Sequence, residues 1–130
     1  MSIPFAIAID GPVASGKSAV GRLLAKKLGY RFLDTGSMYR GVTLAALARG
    51  IDIEDQAALG KLASDLKIEL VADADNGDRL LVEGEDVTSK LREPDVERTV
   101  SLVAKVKQVR EAMVKKQRVL AKAGRVAMAG

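Results

Sequence analysis

The stretch Gly11-Pro12-Val13-Ala14-Ser15-Gly16-Lys17-Ser18 fits the pattern G-x-x-x-x-G-K-[ST], and its flanks are those that the pattern requires. Before it stand Ile3-Pro4-Phe5-Ala6-Ile7-Ala8-Ile9 and Asp10. The unbroken apolar run from Phe5 to Ile9 reads as a strand buried on both faces, as in a parallel sheet. After it, Val20, Leu23, Leu24 and Leu28 recur at helical spacing, and Gly29 stands where a helix stops. Strand, glycine turn and helix make an anion nest. Gly11 and Gly16 permit backbone angles and close approaches that a Cβ blocks, so successive N–H groups can point inward. The first helical turn adds unpaired N–H groups and the positive end of its dipole. Lys17 is spaced to reach the outer phosphates of a bound nucleoside triphosphate, and the Ser18 hydroxyl to bind Mg²⁺.

Working outward, Tyr30-Arg31-Phe32-Leu33 reads as a second strand, and Asp34-Thr35-Gly36-Ser37 as the start of a helix with Thr35 or Ser37 as its cap. Met38, Val42, Leu44, Ala45, Leu47 and Ala48 belong to that helix, which ends at Gly50. Strand, helix, strand, helix over fifty residues opens a doubly wound α/β domain, in which ligands sit beyond the carboxyl ends of the strands. Residues 34–40 are therefore expected beside the phosphate loop. Thr35 and Tyr39, an i, i+4 pair, share one face with Arg40 close by, and form a candidate surface for a second substrate.

Residues 51–66 are a polar connector and a helix with Leu59, Leu62, Ala63 and Leu66 inward. Lys67 to Val71 then alternates with period two, and Arg79 to Glu83 returns. Between them lies an acidic turn whose Asn76-Gly77 pair favours a tight hairpin. The spacing of its acids does not fit a calcium loop. An antiparallel hairpin inside an α/β chain marks an insert, and Gly84-Glu85-Asp86 turns the chain again. Past Pro94, Val96, Val100, Val103 and Ala104 keep helical spacing; Val109, Ala112, Met113 and Leu120 do so over a long helix from about Val106 to Ala123. Val126 to Gly130 reads as a further buried strand. The expected organisation is a core over 1–66, an insert over about 67–104, and a return to the core over about 105–130.

Composition narrows the chemistry. The 130 residues are 48% hydrophobic, enough for one real core, and contain neither cysteine nor histidine. Disulfides, thiolate zinc sites, cysteine nucleophiles and histidine-dependent triads are excluded. The apolar start is interrupted by Asp10 too soon to span a bilayer and carries no basic leader or cleavage site, so a cytoplasmic location and no membrane partner are expected. Eight of the basic residues follow Ala104, against the single acid Glu111, while the chain before them is net negative. No aromatic stacking platform accompanies that charge, so nucleic acid is not the expected partner.

With "AIDGPVASGKS", "FLDTGSMYR", "EGEDVTSKLR", Ser101 followed by "VA", "VREAM" and "QR" at 117–118 on the page, the chain resembles the bacterial cytidylate kinases of the nucleoside monophosphate kinase superfamily. The likeness runs over essentially the whole chain. The phosphate loop is shared by many NTPases; "DTGSMYR" together with "GEDVT" is specific. The resemblance implies a P-loop NTPase core whose hairpin insert is the monophosphate-binding subdomain. It assigns Gly11, Pro12, Val13, Ala14, Ser15, Gly16, Lys17 and Ser18 to ATP, with Mg²⁺ on Ser18. It assigns Thr35, Tyr39, Arg40, Ser101 and Arg110 to CMP or dCMP, and Lys17, Arg40 and Arg110 to catalysis. The implied reaction is in-line transfer of the γ-phosphoryl group. Asp10 is a candidate for orienting the Mg²⁺ waters, or simply the charged end of a buried strand.

Family members are longer and continue past the glycine matching Gly130 with Arg-Asp-Ile/Met-Gly. Further sheet strands, an arginine-bearing lid and a downstream Asp and Arg follow there, and position 129 is alanine where many carry an acid. The expectation is an amino-terminal portion, impaired in turnover as an isolated chain, whose last strand is an exposed edge suited to self-association. The rival readings are another small-molecule P-loop kinase, such as a shikimate, gluconate or adenylate kinase, or a non-catalytic nucleotide-binding or dimerisation module. A signalling GTPase lacks support, since neither D-x-x-G nor N-K-x-D occurs in the sequence.

Overall fold

A computed structural model of the chain describes residues 6–9, 17–71 and 78–129, with side chains for all of these but 8, 9, 17 and 18. Strand β1 (Ala6–Ile9) is followed by α1 (Lys17–Leu28), β2 (Arg31–Asp34), α2 (Thr35–Ala48) and α3 (Gln56–Asp65). Then come β3 (Ile68–Val71), β4 (Arg79–Val82), β5 (Glu85–Asp86), a 3-10 turn over Thr88–Lys90, α4 (Pro94–Ala104), α5 (Lys107–Ala123) and β6 (Val126–Ala129). Gly11–Gly16, Asp10 and the Asn76-Gly77 turn lie outside the described residues.

The main sheet is parallel, in the order β1-β6-β2. Val126 pairs with both Ala6 and Arg31, so the last strand runs between the first two. This corrects the expectation that the final strand is an exposed edge. A helix is about 10 Å across and strands lie about 4.8 Å apart, so a β-α-β crossover that skips one position leaves a slot beneath its helix. Val126, Ala127 and Ala129 fill that slot and are buried. Gly21 and Ala25 of α1, one helical turn apart, are buried on the side that packs against β6, while Val20 and Leu23 face outward.

The small sheet is antiparallel, β3-β4-β5, with Leu70 opposite Leu80 and both buried. The Gly84-Glu85-Asp86 stretch expected to be only a turn contributes the two-residue strand β5, paired on Leu81 and Val82. This sheet closes the outer side of β2. The Arg31 guanidinium donates through Nη1 to the Leu70 carbonyl (3.1 Å) and through Nη2 to the Gly124 carbonyl (3.3 Å). The Phe32 N–H donates to the Asp78 carboxylate. α2 lies close on β4, since a Cβ at Gly41 would come within 3.3 Å of both Leu80 and Val82.

One hydrophobic core joins the layers: Leu33, Met38, Val42, Leu59, Leu80, Val103, Val109, Met113 and Val126 all belong to it. The inner faces expected for α3 and α5 are the buried ones, with Leu120 partly buried at the end of α5. Pro94 is the first helical residue of α4, where its missing N–H costs nothing. Gly29 and Gly50 follow α1 and α2 with φ of 68° and 66°, the left-handed conformation of a helix stop.

Candidate acceptor site at the carboxyl edge of the sheet

All three main strands are parallel, so their carboxyl ends and the amino-terminal ends of α1 and α2 share one edge of the sheet. The cap of α2 is Asp34 and not Thr35 or Ser37: its Oδ1 accepts from the Gly36 N–H at 2.9 Å. Aspartate is among the best residues at this position, and its early placement makes Thr35 the first residue of the helix proper. Thr35, Tyr39 and Arg40 therefore fall within the first two turns of α2, at the sheet edge where ligands bind in such folds.

Arg40 reaches α4. Its Nε donates to Oε1 of Glu97 at 3.1 Å, its Nη2 lies 3.1 Å from the same oxygen as an ion pair, and its side chain is only 17% exposed. Arg92 approaches the same oxygen at 3.6 Å. The Arg40 hydrogen bond and then its charge, with a smaller contribution from Arg92, hold the Glu97 carboxyl below its ordinary value against the desolvation that opposes them. The other side of the Arg40 guanidinium lies over the first turn of α2, where a Cβ on Gly36 would stand 3.3 Å from Nη1. Ser101 is one helical turn after Glu97 on α4 and is exposed.

Tyr39 is half-buried, and burial raises its phenol above the usual 10.0; the Arg110 cation on α5 opposes that rise. Arg110 thus lies within electrostatic reach of the ring, and the Thr43 hydroxyl donates to the Tyr39 carbonyl (2.8 Å). Arg110 is exposed and belongs to a shallow depression of about 440 Å³ that it lines with Lys107, Glu111, Val114, Lys115 and Arg118. α2 accordingly faces two other helices: through Arg40 it meets the α4 face that carries Ser101, and its Tyr39 lies within electrostatic reach of Arg110 on α5.

The loop residues Gly11–Gly16 are outside the described residues, as are the side chains of Lys17 and Ser18; the backbone places Lys17 at the first position of α1. Two features escaped sequence reasoning. Glu97 looks like one more charge on a solvated helix and gives no local signal. A slot of about 130 Å³ between β2, α2 and the small sheet is lined by Phe32, Asp34, Ser37, Asp78 and Thr88 among others. Phe32, Asp34 and Ser37 lie inside "FLDTGSMYR" and Thr88 inside "GEDVT", but neither stretch by itself signals the slot between them.

A parallel sheet whose first strand and helix flank the sequence G-x-x-x-x-G-K-[ST], with a small antiparallel sheet beside it, is consistent with the α/β P-loop fold of nucleoside monophosphate kinases. The family model "Cytidylate kinase" matches residues 7–130, and the chain belongs to the cytidylate kinase family. A cytidylate kinase of Pelotomaculum thermopropionicum is 49% identical over 124 residues, 95% of this chain and 55% of the relative. One of Chloroflexus aggregans is 49% identical over 133 residues, covering 100% of this chain and 58% of the relative. One of Bacillus velezensis is 47% identical over 130 residues, with 100% and 58% covered. The chain spans about half the length of the curated relatives it matches. Among the described residues, no helix is long and apolar enough to cross a membrane.

Proposed function

We propose that the chain binds the two substrates of phosphoryl transfer from Mg·ATP to CMP or dCMP, giving CDP or dCDP. Gly11 to Ser18 hold ATP; Thr35, Tyr39, Arg40, Ser101 and Arg110 hold the acceptor; and residues about 67–104 form the acceptor-side subdomain. The observation that carries this reading is the position of Arg40 in the amino-terminal half of α2, at the carboxyl edge of the sheet, with Arg110 of α5 within electrostatic reach of the adjacent Tyr39. Kinship with proteins named cytidylate kinase supports the choice of acceptor. The cytoplasm is the location that goes with these substrates.

The acceptor is already an ionised phosphate at neutral pH, so the reaction needs no strong general base. The task is to hold two polyanions in line and offset their charge. Guanidinium forks suit this, since each offers several N–H donors in one plane. Lys17 is the corresponding cation on the donor side. Mg²⁺ takes phosphate oxygens and waters with one or two protein oxygens, a donor set that the Ser18 hydroxyl fits; when bound it offsets charge on the triphosphate.

Calorimetric titration of the full-length protein with CMP, dCMP, UMP and AMP tests the reading. CMP or dCMP should bind most tightly. Arg110→Gln should weaken CMP binding roughly ten- to hundredfold, the range for a hydrogen bond to a charged group. Preference for AMP, or an unchanged CMP affinity in Arg110→Gln, refutes it.

A further inference from the structure

The guanidinium proposed to hold the acceptor phosphate is already engaged. Arg40 donates from Nε to one oxygen of Glu97, and its Nη2 lies 3.1 Å from that same oxygen. Its third nitrogen, Nη1, lies against the first turn of α2 beside Gly36. The fork edge formed by Nε and Nη2 is the one that a phosphate takes in planar, two-point recognition, and a carboxylate sits on it. Arg92 is the second cation on that carboxylate, at 3.6 Å, and is itself exposed. Among the described residues, Glu97 is the acid paired with Arg40, so it is the group that an incoming anion meets.

We propose that Glu97 is a displaceable occupant of the acceptor-phosphate position, competing with the substrate phosphate for Arg40 and so setting acceptor affinity. The proposal rests on the reading of Arg40 given above. A phosphate dianion carries more charge than a carboxylate and offers three oxygens, so it wins the exchange, at a cost equal to the pair it breaks. The two anions also repel each other while they remain close. Glu97 is 43% exposed and can swing into solvent, whereas Arg40 is held by its burial. The exchange therefore moves the carboxylate and leaves the guanidinium in place. A partly exposed pair of this kind sets acceptor binding back by roughly two- to fivefold.

The test uses Glu97→Gln, which keeps the side-chain shape and removes the charge, in the full-length protein. Affinities for CMP and for cytidine, which lacks the phosphate, are measured with wild type, Glu97→Gln, Arg40→Gln and the double variant. The expected result is roughly two- to fivefold tighter CMP binding in Glu97→Gln, unchanged cytidine binding, and no effect of the Glu97 change once Arg40 is glutamine. A merely structural role for Glu97 would move CMP and cytidine together. Weaker or unchanged CMP binding in Glu97→Gln, with Arg40→Gln still impaired, overturns the proposal alone. An Arg40→Gln variant with wild-type CMP affinity overturns both the proposal and the acceptor reading beneath it.

Discussion

Gly60→Ala puts the packing of α3 on α5 to a sharp test, because two known effects act in opposite directions. Alanine is favoured over glycine in a helix interior by about 0.8–1 kcal/mol. By propensity alone the substitution should stabilise. The structure says otherwise: a Cβ at Gly60 would stand 2.5 Å from Gln108 Cβ and 3.3 Å from its Cγ. The Gln108 Cβ is fixed to the α5 backbone, so no rotamer change removes it. Ordinary contact begins at 3.4 Å, so the helices must part by about 0.9 Å. A gap of that size forfeits a quarter to a half of the dispersion attraction across the contact. The buried residues Leu59, Leu62 and Ala63 on α3 and Val109, Ala112 and Met113 on α5 then lose close packing. Overpacking of this kind costs about 1–3 kcal/mol, and at this overlap the upper half of that range applies. The net is a destabilisation of about 1–2 kcal/mol, or roughly 3–8 °C in Tm for a chain of this size. Thermal unfolding followed by circular dichroism, with a urea midpoint at constant slope, measures it. Gln108→Gly removes the opposing Cβ and should show coupling of about 1 kcal/mol or more with Gly60→Ala. A Tm equal to or above that of wild type in Gly60→Ala refutes the packing argument.

Two further predictions concern the small sheet. Asp86 is held below its ordinary 3.8, first by the hydroxyl and backbone N–H of Thr88, with Arg79 assisting, while desolvation opposes them. A depressed carboxylate contributes stability that is fully present above 3.8 and is lost as pH falls through the native value. Asp86→Asn should therefore be less stable than wild type at pH 7, and the two should converge in acid below 3.8; a difference independent of pH would contradict this. Arg31→Lys loses the fork that spans the Leu70 and Gly124 carbonyls, since an ammonium cannot serve both in that geometry. Faster hydrogen exchange at β3 and β4 amides is the expected outcome, and unchanged protection there would show that the fork does not anchor the small sheet.

How much of this was legible in the residues depends on how far apart the partners lie. The strand before the glycine loop, the inner faces of α3 and α5, the stops at Gly29 and Gly50 and the two flanks of the hairpin all rest on local periodicity or one local residue type. The α2 cap, expected at Thr35 or Ser37, falls on Asp34 because all three are competent caps and only backbone geometry selects among them. The proposed acceptor surface was readable to the extent that Thr35, Tyr39 and Arg40 lie on one short stretch. Glu97 was not, since its partner is 57 residues away and its own neighbourhood is a solvated helix.

By itself the sequence determined the repertoire of parts: a phosphate-loop pattern between an apolar strand and a helix, an antiparallel hairpin, and basic residues near a helix start. Each rests on spacings of two to four residues, over which side-chain direction is dictated by backbone geometry. Only the tertiary structure decided that β6 enters between β1 and β2, that Gly60 is a contact point, and that Arg40 is held by Glu97. These are choices among competing long-range burials and charge pairings. They depend on which surfaces exclude water from one another once the elements meet, a quantity that no short window of sequence contains.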